Sequence, residues 1–208
     1  MFEIDALINA FATLFVTIDP IGLAPIFLGL TDGMNRSERF AVGLRACIIA
    51  LFLMTVFLIA GQAILDTLGI TIHAFRVAGG MLLFYTAFEM VYGSRVERKK
   101  ETSEKAVTAD QIANIAVFPL ALPLIAGPGA ISAAILLSSE DPSLEWQFAL
   151  FGVIAAVLLL VFLAFLASNL IDRYLGVTGR MIMTRLLGVL LAALSVQFVV
   201  DGLSAMLA

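Results

Sequence analysis

Asp19-Pro-Ile-Gly-Leu-Ala-Pro-Ile-Phe27 sits inside a run, 6–30, whose other residues are almost all apolar. Pro20 and Pro25 each remove a backbone donor and crowd the carbonyl four residues back, so with Gly22 between them they break a helix. The flanks are too apolar for a surface loop. The same arrangement returns in Pro123-Leu-Ile-Ala-Gly-Pro-Gly-Ala-Ile131, inside the apolar run 114–138. In hydrocarbon an unsatisfied backbone group costs several kcal/mol, so such breaks persist only where they are buried in protein or line a wet cavity. The expectation is therefore two interrupted membrane helices.

The composition agrees with lipid as the solvent. Apolar residues make up 62% of the 208 and charged residues 13%, against roughly 45–50% and 25% in ordinary globular proteins. Mean hydropathy is +1.07. About 20 apolar residues cross a bilayer, and six such runs are predicted, near 6–30, 40–62, 69–92, 114–138, 146–170 and 182–206. The chain, 1–208, is then one transmembrane domain. Glu3 and Asp5 stand where a cleaved signal needs positive charge, so the first run is expected to remain as a span. One cysteine, Cys47, lies in an apolar run and reads as packing; with a single histidine, neither a disulfide framework nor a metal site of soft ligands is expected. Twelve Lys+Arg against sixteen Asp+Glu leave no basic domain for nucleic acid. No cofactor and no catalytic residue are expected, because no Ser/His/Asp, His-Glu-x-x-His or phosphate-cradling glycine motif is present.

Charge then orients the spans. Arg36, Arg39 and Arg45 follow the first span; Arg95, Arg98, Lys99, Lys100 and Lys105 lie in the linker 93–111; Arg173, Arg180 and Arg185 precede or begin the sixth span. The opposite side carries no Lys or Arg, only acids such as Asp66, Glu140 and Asp141, and the remaining cation, Arg76, sits seven residues into the third span. The positive-inside rule predicts a multi-pass protein of the cell inner (plasma) membrane with both termini outside the cytoplasm.

The two halves resemble each other. Pro20-Ile-Gly-Leu-Ala-Pro25 matches Pro123-Leu-Ile-Ala-Gly-Pro128, and Arg76-Val-Ala-Gly79 matches Arg185-Leu-Leu-Gly188 at an offset of 109, which also places Thr86 on Ser195 and Gly93 on Gly202. Three spans per half, an odd number, force the halves to cross in opposite senses. The predicted fold is an all-α integral membrane protein of six transmembrane helices in two inverted three-helix repeats, 1–92 and 112–208, with helices 1 and 4 broken and a charged cytoplasmic linker, 93–111, between the repeats.

Breaks of this kind carry chemistry. Helices restarting at Pro20 and Pro128 would aim backbone N–H groups inward, suited to a carboxylate, while carbonyls before the breaks suit an ammonium group or a coupling cation. The candidate substrate or ion residues are Asp19, Pro20, Gly22, Pro25, Gly127, Pro128, Gly129 and Arg76. Asp19, about mid-span, is read both as a functional carboxylate and as the cap of the restarted helix. Arg76 is expected inside the bundle, paired to a carboxylate or to carbonyls of a broken helix. Thr17, Asn114 and Ser132 flank the breaks. Arg185 reads as snorkelling, Glu89 as snorkelling or proton-linked, His73 as interfacial, Gln197 as bonding across helices, Asp201 as solvated and Trp146 as an interfacial anchor.

Asp19-Pro-Ile-Gly-Leu-Ala-Pro-Ile-Phe27 and Pro123-Leu-Ile-Ala-Gly-Pro-Gly-Ala-Ile131 resemble the two signature segments of the MarC family, six-span inner-membrane proteins grouped with the LysE-type exporter superfamily. The likeness covers nearly the whole chain, including the Arg-x-x-Gly starts of spans 3 and 6. Many members carry Asn at the position of Asp19. Some members are described as transporters of small neutral amino acids, so the resemblance implies transport of a small zwitterion such as glycine or alanine, coupled to H+ or Na+. An exporter of drugs or other small metabolites, a membrane enzyme or lipid-handling protein, and a non-transporting membrane scaffold or regulator are the competing readings, and an oligomer is left open.

Overall fold

The computed structural model describes residues 4–92, 115–141 and 143–207, the side chains at 172 and 180 excepted. The linker 93–111, Asn114 and the Arg180 side chain lie outside the described residues. Among those described the order is α1 (Ile4–Ile18), α2 (Pro20–Leu30), α3 (Arg36–Thr67), α4 (Ile72–Tyr92), α5 (Ala116–Ile125), α6 (Pro128–Ser138), α7 (Leu144–Leu166) and α8 (Ser168–Leu207). Ile4–Leu30, α3, α4, α7 and Met181–Leu207 are each long and apolar enough to cross a membrane, and α5 with α6 makes a sixth span bent by 58°. The protein is an all-α integral membrane protein with broken helices.

Local chemistry sets the boundaries. Asn35 Oδ1 accepts from the Ser37 and Glu38 N–H groups at 2.9 and 3.0 Å, and Glu38 Oε2 accepts from Asn35 N–H at 2.8 Å. That reciprocal capping box starts α3 after a short turn. Ser143 Oγ caps α7 by accepting from Trp146 N–H at 3.2 Å. Gly176, at φ 59°, kinks α8 before its membrane-crossing part. In α5, Phe118 and Leu122 are extended, at φ −131° and −127°, as the residue before a proline is driven to be.

The internal repeat is present, with a register different from the one read in the sequence. An offset of 108 carries Pro20 onto Pro128, Leu30 onto Ser138, the cap Asn35 onto the cap Ser143, and Arg36 onto Leu144. Packing shows the same offset. A Cβ on Gly80 would meet Ser195 O at 2.9 Å and Val199 Cγ2 at 2.8 Å, and one on Gly188 would meet Ala87 O at 3.1 Å and Val91 Cγ2 at 3.1 Å. These contacts are reciprocal, and α4 and α8 run antiparallel. The matches of Pro20 with Pro123 and of Arg76 with Arg185 are therefore corrected: Pro20 corresponds to Pro128, and Arg76 to Thr184. Small residues recur often enough in apolar helices for a false register to score well; helix starts and backbone contacts decide between them.

Glycine lets these backbones touch. Gly202 lies against His73 O and Val77, and Gly79 against Ser132 and Leu136 of α6. Thus α4 lies antiparallel to both α6 and α8. At the far end Phe27 of α2 stacks on Phe165 of α7, ring centroids 4.3 Å apart, over Gly43 of α3. Cys47 is buried, as a packing residue should be.

Candidate functional site

The first break is organised by Asp19. Its backbone is left-handed, at φ 59° and ψ 69°, and its buried carboxylate accepts from Gly22 N–H at 3.0 Å to cap α2. Asp19 N–H still donates to Phe15 O at 2.9 Å, and Leu23 N–H donates to Asp19 O at 3.0 Å. The chain therefore turns at one residue, and the α2 N-terminus is closed by its own anion. Gly22 is required there because a Cβ would overlap the Asp19 carboxylate. Pro20 opens α2 at a position where its missing N–H costs nothing. Pro25 lies within α2, one turn past the break.

The second break is built differently. Hydrogen bonds spanning five residues (Leu120 N–H to Ile115 O at 3.2 Å, Ala126 N–H to Ala121 O at 2.9 Å) widen α5, and extended Gly127 then starts α6 at Pro128. No side chain caps α6. Ile131 N–H donates to Gly127 O at 3.0 Å, whereas the first-turn N–H groups of Gly129 and Ala130 have no intrahelical acceptor. Each half thus restarts a helix at an equivalent proline, once with a carboxylate at position 19 and once with glycine at position 127.

The two breaks meet. A Cβ on Gly129 would lie 3.3 Å from Thr17 Cγ2, 3.3 Å from Thr86 Oγ1 and 3.6 Å from Leu83 Cδ2. The end of α1, the start of α6 and the middle of α4 therefore adjoin. Thr17 Oγ1 donates to Thr13 O at 2.6 Å, and Thr86 Oγ1 to Leu82 O at 3.0 Å. Ser132, buried one turn into α6, lies against Gly79. Sequence reasoning does not single out Thr86 for the site, because nothing in its neighbourhood breaks a helical pattern.

Arg76 is not at this junction. It lies one turn into α4, seven residues short of Leu83, or about 10 Å along the axis at 1.5 Å per residue. It is half-buried, its Nε sealed from solvent without a hydrogen-bond partner. Its charge and that of Asp201 both reach Glu140 in the α6–α7 turn. Glu140 is exposed, yet the protein packed around it partly desolvates its carboxyl and raises its pKa above the usual carboxylate value, while Arg76 draws it back down and Asp201 pushes it up.

Other expectations are corrected. Trp146 is buried, donating from Nε1 to Leu137 O at 2.9 Å, and so joins α7 to the end of α6 instead of anchoring at the interface. Gln197 donates to Asp201 Oδ1 at 2.7 Å within α8, not across helices, and half-buried Asp201 is less solvated than expected. Glu89 is only 4% exposed, which excludes snorkelling. His73 is half-buried, and Arg185 is exposed, as snorkelling requires.

The family model described as MarC family integral membrane protein matches residues 4–207. A UPF0056 membrane protein of Archaeoglobus fulgidus is 40% identical, covering 94% of this chain and 91% of its own length. UPF0056 membrane protein YvbG of Bacillus subtilis is 36% identical over 96% of this chain and 95% of its own, and YhcE of Escherichia coli 35% over 97% and 94%. No solved structure matches. Six apolar spans, two proline-started half-helices and likeness to these relatives along almost the whole length agree, and the chain belongs to the MarC family of integral membrane proteins.

Proposed function

We propose that this protein is a secondary transporter, with no enzymatic activity, of a small zwitterionic solute, a neutral amino acid of the glycine or alanine type, driven by a proton or sodium gradient. The observation that carries the reading is the unequal pair of helix starts at equivalent places in the two halves. The uncapped α6 start offers the Gly129 and Ala130 N–H groups and the positive end of a helix dipole to a carboxylate. The α2 start is already occupied by Asp19, whose negative charge suits an ammonium group or a coupling cation instead. The hydroxyls of Thr17 and Thr86 each donate to a carbonyl of their own helix, and the Thr86 oxygen keeps lone pairs for an ammonium donor. Their closeness to Gly129 favours a solute of few heavy atoms. By the positive-inside rule, the face with the α6–α7 turn and both termini is the non-cytoplasmic one of the inner membrane.

Uptake of labelled alanine and glycine into proteoliposomes, with imposed proton or sodium gradients, tests the reading. Gradient-dependent accumulation is expected. Folded, reconstituted protein that accumulates neither solute under either gradient overturns it.

A further inference from the structure

The end of the bundle that carries the α6–α7 turn holds, among the described residues, one Lys or Arg against six acids: Arg76 against Asp5, Asp66, Glu140, Asp141, Glu145 and Asp201. Three of these charges come from separate elements and converge. Gly202 presses on His73 O and Val77 N, at 3.0 and 3.2 Å from its Cβ position, which brings the neighbouring Asp201 of α8 alongside Arg76 of α4. Gly79 packs on Leu136, bringing the last turn of α6, and Glu140 just beyond it, to the start of α4. Trp146 fixes the start of α7 to that turn through Leu137 O, and Gln197 holds Asp201 from one turn away. The α6 side chains from Ser132 to Ser138 are buried beneath this end, while Glu140 itself is exposed above them.

We propose that Arg76 is the counter-charge that lets Glu140 and Asp201 close over this end of the bundle, forming a clasp of one cation and two carboxylates that shuts the path from this face to the breaks. The path it shuts is the one given by the transport reading; the clasp itself needs no solute. Two carboxylates drawn together repel unless a cation lies between them or one of them is protonated. Partial desolvation and Asp201 favour the protonated form of Glu140, and Arg76 opposes this. The closed arrangement then binds a proton more readily than an open, solvated one, so acid favours closure and rising pH works against it. Arg76 extends closure to higher pH. His73 on α4, Asp141 in the turn, Glu145 on α7, Asp5 on α1 and Asp66 on α3 are the other titratable groups at this end, and replacing Glu140 alone separates its effect from theirs.

The test uses a thiol at Ser132, buried below the clasp, as Ser132→Cys in a Cys47→Ala background. A membrane-impermeant maleimide is applied to the face bearing the α6–α7 turn, and each rate is divided by that of denatured protein at the same pH. The parent should label slowly at neutral pH. Arg76→Gln should label faster, by an order-of-magnitude shift of roughly tenfold. Adding Glu140→Gln to Arg76→Gln, or acidifying Arg76→Gln, should restore the slow rate. A parent-like rate in Arg76→Gln, or no restoration by Glu140→Gln, overturns the clasp. If Arg76→Gln does not insert, the parent alone decides. Its normalised rate should fall on acidification and lose that fall in Glu140→Gln, while a flat parent profile overturns the proposal. Labelling that behaves as described in a protein that takes up no amino acid counts against the transport reading alone; uptake with unresponsive labelling counts against the clasp alone.

Discussion

Replacing Gly22 by alanine sets helix propensity against a single cap. At most positions in an α-helix alanine is preferred to glycine by about 1 kcal/mol. At position 22 the new Cβ would occupy the space of the Asp19 carboxylate, lying 2.8 Å from its Cγ, so the carboxylate must rotate off the helix start. Losing a side-chain cap costs roughly 0.5–2 kcal/mol, and a buried acceptor left without its donor about 1–3 kcal/mol, the two overlapping because they describe one hydrogen bond. After the alanine preference is subtracted, Gly22→Ala should destabilise by up to about 2 kcal/mol, a fall in Tm of up to roughly 8 °C for a chain of this size. Gly29→Ala in the same helix has nothing within 4 Å of its Cβ and should be neutral or stabilising. Thermal unfolding of the purified protein in detergent measures both. The decisive comparison is a double-mutant cycle, since in an Asp19→Ala background Gly22→Ala should cost nothing. If the effect of Gly22→Ala is the same with and without Asp19, the cap does not hold the break.

Asp19→Asn should keep the fold, because Asn and Asp cap about equally well, and should alter the pH dependence of uptake; an unchanged profile leaves Asp19 a cap alone. Gly80→Val should lower Tm by an amount equivalent to about 1–3 kcal/mol, since its Cβ meets the α8 backbone, while Gly152→Ala, with open space around it, should leave Tm unchanged. At equal membrane expression, Arg76→Leu should impair uptake more than Arg185→Lys, which keeps an exposed charge; equal uptake makes Arg76 an interfacial anchor. A fluorescent-protein fusion after Ala208 should stay dark and a phosphatase fusion there should be active, and strong cytoplasmic fluorescence contradicts the charge argument for orientation.

The six spans and both interruptions are legible in the sequence because lipid removes alternatives: a proline-bearing apolar run has few ways to satisfy its backbone. The extended residues of α5 follow directly from X-Pro sterics at Phe118 and Leu122. The register of the halves is not legible, because Gly79 and Gly80 are adjacent and either can be laid on Gly188. Only the backbone carbonyls they touch choose between 109 and 108. Asp19 can be read as a cap from its place before Pro20, but its left-handed backbone and the crowding at Gly22 require coordinates. The grouping of Arg76 with the breaks fails for a simple reason. Hydropathy shows that a charge is unusual in a span without showing how far along the axis it lies, and Glu140, in a turn of acids, carries no sequence mark of its position near Arg76 and Asp201.

The reciprocal contacts of Gly80 and Gly188 also have a mechanical consequence. Each glycine lies against backbone of the opposite helix, so axial sliding of α4 past α8 by a single residue would drive Cβ atoms of neighbouring positions into carbonyls on both sides of the crossing at once. The pair behaves as a keyed shaft: resistant to sliding in either direction, and shared equally by the two halves. Any motion that exposes the breaks first to one face and then to the other would leave this shaft as the stator.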